Sequence, residues 1–150
     1  MIDDESRSVA ENAALKYLDN VGVAVRDLPR MHHFYTEILG LQSPPLAPGA
    51  TAFFAQLGTT KFVVFQTGSS ESAQQRSIPQ FMQNPPGYDH VVFAVDDIDA
   101  AGSRLEAKGV VFEVVATLEL PEGGQAKVRR FKDPEGNLIG LQQLLPDTDK

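Results

Sequence analysis

The sequence contains one strand-and-helix unit that occurs twice. Residues 19–28 match residues 89–98, a separation of 70 residues, and the two segments share Asp, Val, Ala, Val and Asp at the same positions. Repetition of a whole unit at a fixed offset indicates a repeat architecture, and a solenoid needs at least three units. Two units therefore predict a pair of similar modules related by pseudo-symmetry.

Helix signals follow each copy of the repeat. Asp27 is a candidate N-cap, and the helix that follows it is expected to stop at Gly40, because glycine readily adopts positive φ. The second helix is expected to begin at Asp96 or Asp97 and to end at Gly109. Each module therefore begins with one strand and one helix.

Runs of β-branched and aromatic residues between turn residues predict the remaining strands. The candidate strands are 18–25, 51–57, 61–67, 90–95, 110–118, 126–132 and 138–144. The predicted order is strand–helix–strand–strand–strand, twice, with the proline-containing segment 42–49 as a loop that holds at most a short edge strand. Residues 17–145 are expected to form one domain of two modules, 17–70 and 86–145, joined by a polar linker over 71–85. Residues 1–16 are expected to be a flexible tail.

The composition excludes several classes of function. The formal charge is −7, which argues against nucleic acid or an anionic membrane as a partner. The absence of cysteine removes thiolate nucleophiles and cysteine-ligated metals, and it fits a reducing cytoplasm, the expected location. No apolar run approaches the length of a membrane span, and the acidic N-terminus does not have the pattern of a secretory signal.

Four motifs carry a resemblance to a known superfamily. They are LDNVGVAVRDL at 18–28, HFYTEILGL at 33–41, YDHVVFAVDD at 88–97 and FKDPEGN at 131–137. The chain resembles the vicinal oxygen chelate superfamily, which includes glyoxalases, bleomycin resistance proteins and ring-cleaving dioxygenases. The resemblance implies an α+β fold of two tandem βαβββ modules, which form open half-barrels around a shared cleft within a chain or across a dimer.

The resemblance also implies where a metal would be bound. Family enzymes hold a divalent metal with one residue from the first strand and one from the last strand of each module. The matching positions here are Asn20, Phe65 (or Gln66 if the register differs by one), His90 and Gly140. Catalytic metals need three or more protein ligands, and only His90 is a good one. We therefore expect no metal or other cofactor.

The same positions predict a pocket for a small organic molecule. Strand alternation brings residues of both first strands to one concave side. The candidate ligand-binding residues are Asn20, Gly22, Phe53, Phe65, His90, Val92, Gly140 and Gln142, with Leu138 as a further apolar neighbour. Asn20 and His90 are expected to face each other across the cleft. Glycine within a strand leaves room either for a ligand or for a packed side chain such as Phe65, and both interpretations stay open.

Three hypotheses for function follow. The first is a metal-free protein that binds a small molecule. The second is a lyase, isomerase or dioxygenase-type enzyme that uses His90 as acid or base, or a rearranged metal site of His90 with Gln66, Glu113 or Gln142. The third is an inert interaction domain with a filled cleft. Metal content separates the second hypothesis from the first, and an empty apolar cleft separates the first from the third.

Further expectations concern charge and association. Alternation along 127–132 places Arg129 and Arg130 on opposite faces of a basic strand. This strand is either a solvated face or the source of one arginine that binds an anionic ligand. Residues 119–124 form a loop that could cover a cleft. A homodimer is expected, because open half-barrels leave sheet edges and apolar surface that a second copy can bury.

Overall fold

A computed structural model describes residues 14–146, so most of the predicted tail, residues 1–13, lies outside the described part. The first module contains strands β1 (Asn20–Val25), β2 (Ala52–Leu57) and β3 (Thr60–Gln66), and helix α1 (Leu28–His33), which continues as a π-helical turn over Phe34–Ile38. The second module contains β4 (His90–Ala94), helix α2 (Ile98–Ala107), β5 (Val114–Glu119), β6 (Gln125–Lys132) and β7 (Leu138–Leu144). A short 3-10 turn, Phe81–Gln83, lies between the modules.

Each module has its own sheet with the first strand beside the last. The strand order is β1-β3-β2 in the first sheet and β4-β7-β6-β5 in the second, and in both the first and last strands run parallel. The expected third strand of the first module is reduced to one bridge between Gln42 and Gln56. The prolines that follow in 44–48 lack N–H groups, so this segment cannot continue a ladder. The α+β fold of two related modules is thus confirmed, with a smaller first sheet.

Side-chain caps begin both helices as the sequence predicts. The carboxylate of Asp27 accepts from the backbone N–H of Arg30 over 3.1 Å, and that of Asp97 accepts from Ala100 over 3.0 Å. The chain turns after the helices at Gly40 (φ +82°) and Gly109 (φ +92°), where the left-handed conformation favours glycine. Local chemistry therefore determines where the helices begin and where the chain leaves them.

Alternation along the first strands separates a core face from an outer face. In β1, Val25 is fully buried and Val21 and Val23 are half-buried, whereas the alternate residues are exposed. The strand β4 repeats this pattern. The inward side chains join both helices in one core that extends through both modules. The outward side chains form the two concave faces.

Polar contacts tie the second module to the first. The turn before β7 places the Glu135 carboxylate against α1, where it accepts from the backbone N–H groups of Arg26 (2.8 Å) and Asp27 (3.0 Å). The neighbouring Asp133, a buried carboxyl, accepts from the hydroxyl of Tyr35. These contacts place the start of β7 beside the end of β1.

Two sequence-based boundaries need correction. The strand β5 begins at Val114 rather than at residue 110, and Val110 instead packs in the core after α2. The predicted linker also contributes a buried side chain, because Ile78 within it is only 4% exposed.

Between residues 14 and 146, no helix is long and apolar enough to cross a membrane.

Candidate functional site

The concave face of the second sheet holds a cavity of about 340 Å³. Strands β4 to β7 supply its floor and sides, and the segment between the modules supplies a wall. Its lining residues are Ile78, Pro79, Phe81, Asp89, His90, Val114, Leu118, Val128, Arg130 and Leu138. Seven of these ten are apolar, and the other three are ionisable, which is the character of a small-molecule pocket.

Arg130 lies across the floor of this cavity, over a glycine. Arg130 and Gly140 are direct partners in the β6–β7 ladder. A Cβ atom added at Gly140 would lie 3.0 Å from Cζ and 3.1 Å from Cδ of Arg130, and closer still to Nη1. Gly140 therefore makes room for a guanidinium. Burial lowers the pKa of Arg130, but a guanidinium stays charged in proteins.

The rim of the cavity carries a hydrogen-bonded pair, Asp89 and His90. Nδ1 of His90 lies 2.7 Å from Oδ2 of Asp89, and the other carboxylate oxygen accepts from Arg76 (3.2 Å) and Asn84 (2.6 Å). The hydrogen bond from His90, followed by those from Asn84 and Arg76, holds the pKa of Asp89 below its ordinary value. Asp89 is therefore ionised and orients the imidazole, which is 29% exposed and keeps Nε2 available.

The first-strand positions of the repeat make the same local contact. Nδ2 of Asn20 donates to Asp19 over 2.9 Å, as His90 contacts Asp89. Asn20 is exposed and does not line the cavity, whereas His90 does. The expected cleft with Asn20 opposite His90 is therefore not the cavity that the described residues form.

The last-strand positions follow a different register from the one expected. The ladders pair Gly22 with Val63 in the first module and Val92 with Gly140 in the second. Gly22 and Val92 occupy equivalent places in the repeat, so the counterpart of Gly140 is Val63. The prediction that Phe65 holds this position is therefore wrong by two residues. Gly22 and Val92 are 70 residues apart, whereas Val63 and Gly140 are 77 residues apart, so the first and last strands do not share one offset.

Comparison with known proteins assigns the family. The Glyoxalase/Bleomycin resistance protein/Dioxygenase superfamily model matches residues 17–141. The chain belongs to this superfamily. The superfamily resemblance inferred from the four motifs is thereby confirmed.

Several mammalian relatives carry the same name. Methylmalonyl-CoA epimerase of Homo sapiens is 32% identical over 135 residues, which cover 84% of this chain and 73% of that protein. The mouse (Mus musculus) epimerase is 34% identical over 99 residues, which cover 62% of this chain and 53% of that protein, so the match spans about half its length.

A solved structure supports the fold. The glyoxalase/bleomycin resistance protein/dioxygenase from Alicyclobacillus acidocaldarius has a TM-score of 0.65 at 16% identity, covering 87% of this chain and 93% of that one. At this identity the likeness concerns the fold alone.

The residues at the superfamily's metal positions do not fit a metal. By the ladders these positions hold Asn20, Val63, His90 and Gly140. A divalent catalytic metal prefers imidazole and carboxylate ligands, and three or more of them. Within residues 14–146, no three His, Asp or Glu side chains cluster closely enough to bind one. The guanidinium at Gly140 adds a positive charge that repels a cation.

The residues proposed for a rearranged metal site are also dispersed. Gln66 ends β3 in the first sheet, and Glu113 precedes β5 beside a different surface depression that includes Lys108 and Lys132. Gln142 lies at the opposite end of β7 from Leu138, the ladder partner of His90. None of these three lines the cavity with His90.

The other candidate binding residues occupy three places. Phe53 is 6% exposed and packs in the core against the His32 ring, so it cannot line a concave face, and the outward neighbour is Phe54. Gly22 lies under the ring of Phe65, whose Cε1 would be 3.8 Å from an added Cβ. The remaining two, Val92 and Gln142, line a separate and more open depression at the far end of β4.

Only three of the ten lining residues, His90, Leu138 and Arg130, are ones that the sequence suggested for binding. Ile78, Pro79 and Phe81 lie in a segment interpreted as a linker, and only the isolated apolar residues in a polar stretch signal their role. Val128 and Arg130 share a face of β6, which alternation does predict. The predicted opposite placement of Arg129 is confirmed, because Arg129 contacts Asp99 and Glu106 of α2.

Proposed function

We propose that this protein binds a small organic molecule, without a metal, in the cavity on the concave face of its second sheet. The single observation that carries the proposal is the cavity itself, with an apolar lining and three ionisable residues, Asp89, His90 and Arg130. Burial of apolar ligand surface supplies affinity, and a few directed polar groups supply orientation. The metal-free state is supported by the unsuitable side chains at the superfamily's metal positions.

A fragment screen by protein NMR tests the proposal with a matched pair of variants. Leu118 faces the cavity from β5, whereas Val115, on the same strand, faces away from it. Leu118→Trp should fill the cavity and abolish binding, and Val115→Trp should leave it unchanged. The proposal is wrong if no fragment shifts the resonances of cavity residues, or if Leu118→Trp binds as well as the wild type.

Elemental analysis tests the metal-free state separately. The purified protein is expected to contain no stoichiometric divalent metal. One equivalent of Zn, Ni, Fe or Mn per chain, lost in His90→Ala, would overturn this part of the proposal.

An isomerase-type activity is the second candidate, and the contact between Asp89 and His90 favours it. When Asp89 accepts a hydrogen bond from Nδ1–H of His90, Nε2 is the ring nitrogen that can accept a proton from a substrate. The epimerase names of the mammalian relatives point to the same class of reaction.

Deuterium exchange tests this second candidate. Methylmalonyl-CoA in D₂O should acquire deuterium at C2 with the wild-type protein and should not with His90→Gln. Equal exchange by both proteins, or none by either, contradicts it.

Association as a homodimer stays a proposal. Phe54 (60% exposed) and Phe65 (41% exposed) lie on the concave face of the first sheet, where a second copy could bury them. Light scattering at micromolar concentration should give the mass of two chains. A monomer contradicts this proposal and leaves the cavity in the second sheet unaffected.

A further inference from the structure

The charged side chains that line the cavity differ in how fully they are paired with groups of opposite charge. The hydrogen bond of the Arg130 guanidinium is a long one, 3.4 Å from Nη1 to the Leu141 carbonyl. Over residues 14–146, no carboxylate lies within ion-pair distance of Arg130, in contrast to Arg129, which pairs with Asp99 and Glu106. A half-buried cation without a counter-ion is costly unless a ligand provides one.

The acidic side chain that lines the cavity does not supply this counter-ion. Asp89 is already held by Arg76, Asn84 and His90, over 2.6 to 3.2 Å. Arg76 offsets its charge through an ion pair of 3.2 Å. The net local charge that remains for a ligand is therefore the single positive charge of Arg130.

We propose that the ligand of this cavity is a monocarboxylate with an apolar body, whose carboxylate pairs with the guanidinium of Arg130. The inference rests on the proposed function and specifies its ligand class. The planar guanidinium matches a carboxylate through two parallel hydrogen bonds. The apolar body contacts Val114 and Leu118 of β5 and Val128 of β6, the strand that also carries Arg130.

Charge favours a carboxylate over a phosphate monoester. One guanidinium neutralises one negative charge, and the second charge of a phosphate would face Asp89 without a partner. The protein also carries a formal charge of −7, which disfavours dianions further. Gly140 keeps the site open to this pairing, because any larger residue would displace the guanidinium.

Matched probes test the ligand class. A panel of aryl and alkyl carboxylates, their primary amides and the corresponding phosphate monoesters is titrated into wild-type protein by NMR at millimolar concentration. Each carboxylate is expected to bind about tenfold or more tightly than its amide, because charge-assisted hydrogen bonds are stronger than those between neutral groups. Arg130→Gln should abolish this preference, and Arg129→Gln, an identical change of charge on the opposite face of β6, should preserve it.

The outcomes separate this inference from the proposed function. If carboxylates and amides bind equally and Leu118→Trp abolishes the binding of both, the proposal of a carboxylate ligand is wrong. The proposal that the cavity binds a small molecule then stands. Phosphates that bind more tightly than carboxylates overturn it in favour of a dianion. No binding in any series overturns both proposals. If Arg130→Gln does not fold, Arg130→Lys keeps a cation without the planar fork, and it should weaken carboxylates severalfold while leaving amides unchanged.

Discussion

The hydroxyl of Tyr35 donates a hydrogen bond of 3.3 Å to Oδ2 of Asp133, across the boundary between the two modules. Both residues are buried, and burial raises the pKa of each. Backbone N–H groups of Glu135 and Asn137 also donate to Asp133, and together these bonds stabilise a carboxyl inside the core.

Removal of the Tyr35 hydroxyl should weaken this boundary. We expect Tyr35→Phe to lower the free energy of unfolding by about 1–2 kcal/mol, because a buried acceptor loses one donor. Urea unfolding measures the change. Tyr88→Phe is the control, since Tyr88 is fully exposed and should show no effect. Equal stability of Tyr35→Phe and the wild type would mean that this bond contributes nothing.

The contact of Glu135 with the start of α1 predicts a second stability effect. Its carboxylate accepts from the backbone N–H groups of Arg26 and Asp27, the two residues that directly precede α1. Glu135→Ala should cost about 1–2 kcal/mol, and Glu135→Gln, which keeps one acceptor oxygen, should cost less. Glu122→Ala in an exposed loop is the control, and a loss as large as that of Glu135→Ala would count against this explanation.

The two strand glycines should respond in opposite ways to alanine. Gly140→Ala would force the guanidinium of Arg130 to move and should destabilise the fold by about 1–3 kcal/mol. At Gly22 the nearest atom of Phe65 is at an ordinary contact distance, so Gly22→Ala should be neutral or stabilising by up to about 1 kcal/mol. Thermal unfolding of both variants measures the difference, and the same response at both sites contradicts the packing described for Arg130.

Asp89 predicts a dependence of stability on pH. Its pKa is lowered in the folded state, chiefly by the hydrogen bond from His90, so the unfolded chain binds the proton more readily. The contribution of Asp89 is therefore present above the unfolded value of about 3.9 and is lost as pH falls through the lower folded pKa. The stability difference between wild type and Asp89→Asn should shrink on acidification below about pH 4.

A second variant identifies the cause of this pH dependence. His90→Gln removes the largest contribution to the lowered pKa, so it should reduce the pH-dependent part of the difference. Unfolding measured from neutral to acidic pH gives both results. If the stability difference between wild type and Asp89→Asn grew on acidification, folding would raise the pKa of Asp89, which contradicts this prediction.

The phenylalanines of the core and of the concave face should differ sharply. Phe131 is fully buried, with its ring 5.5 Å from that of Phe112 and 6.5 Å from that of Phe34. Phe131→Ala should cost about 3–5 kcal/mol through lost burial and a residual cavity. Phe54→Ala, in the proposed dimer contact, should leave the stability of the single chain nearly unchanged and should instead weaken dimer formation in light scattering. Equal losses from both variants, measured at concentrations where the protein is monomeric, would contradict this distinction.

The sequence predicted the fold from features that act locally or repeat. The matching segments located β1 and β4, the aspartate caps located both helix starts, and alternation placed Arg129 and Arg130 on opposite faces. Phe53 was misplaced because its neighbour Phe54 is also apolar, so alternation alone does not say which ring faces the core.

The site depends on relationships that a single strand does not contain. The position of Arg130 over Gly140 follows from the register of β6 against β7. Ile78 lines the cavity because a segment outside both sheets folds onto it. The error at Phe65 has the same origin, since the counterpart of Gly140 is defined by which residue pairs with Gly22.

The two copies of the repeat contribute unequally to the cavity. A duplicated module offers two versions of each position, and here Asn20 and Val63 sit outside the cavity while His90 contacts it and Gly140 makes room for its arginine. Replacements at Asn20 and Val63 leave the lining of the cavity unchanged, whereas replacements at His90 and Gly140 alter it. The cavity can therefore be reshaped by replacements in the second copy and in the segment between the modules, while the first copy is kept unaltered.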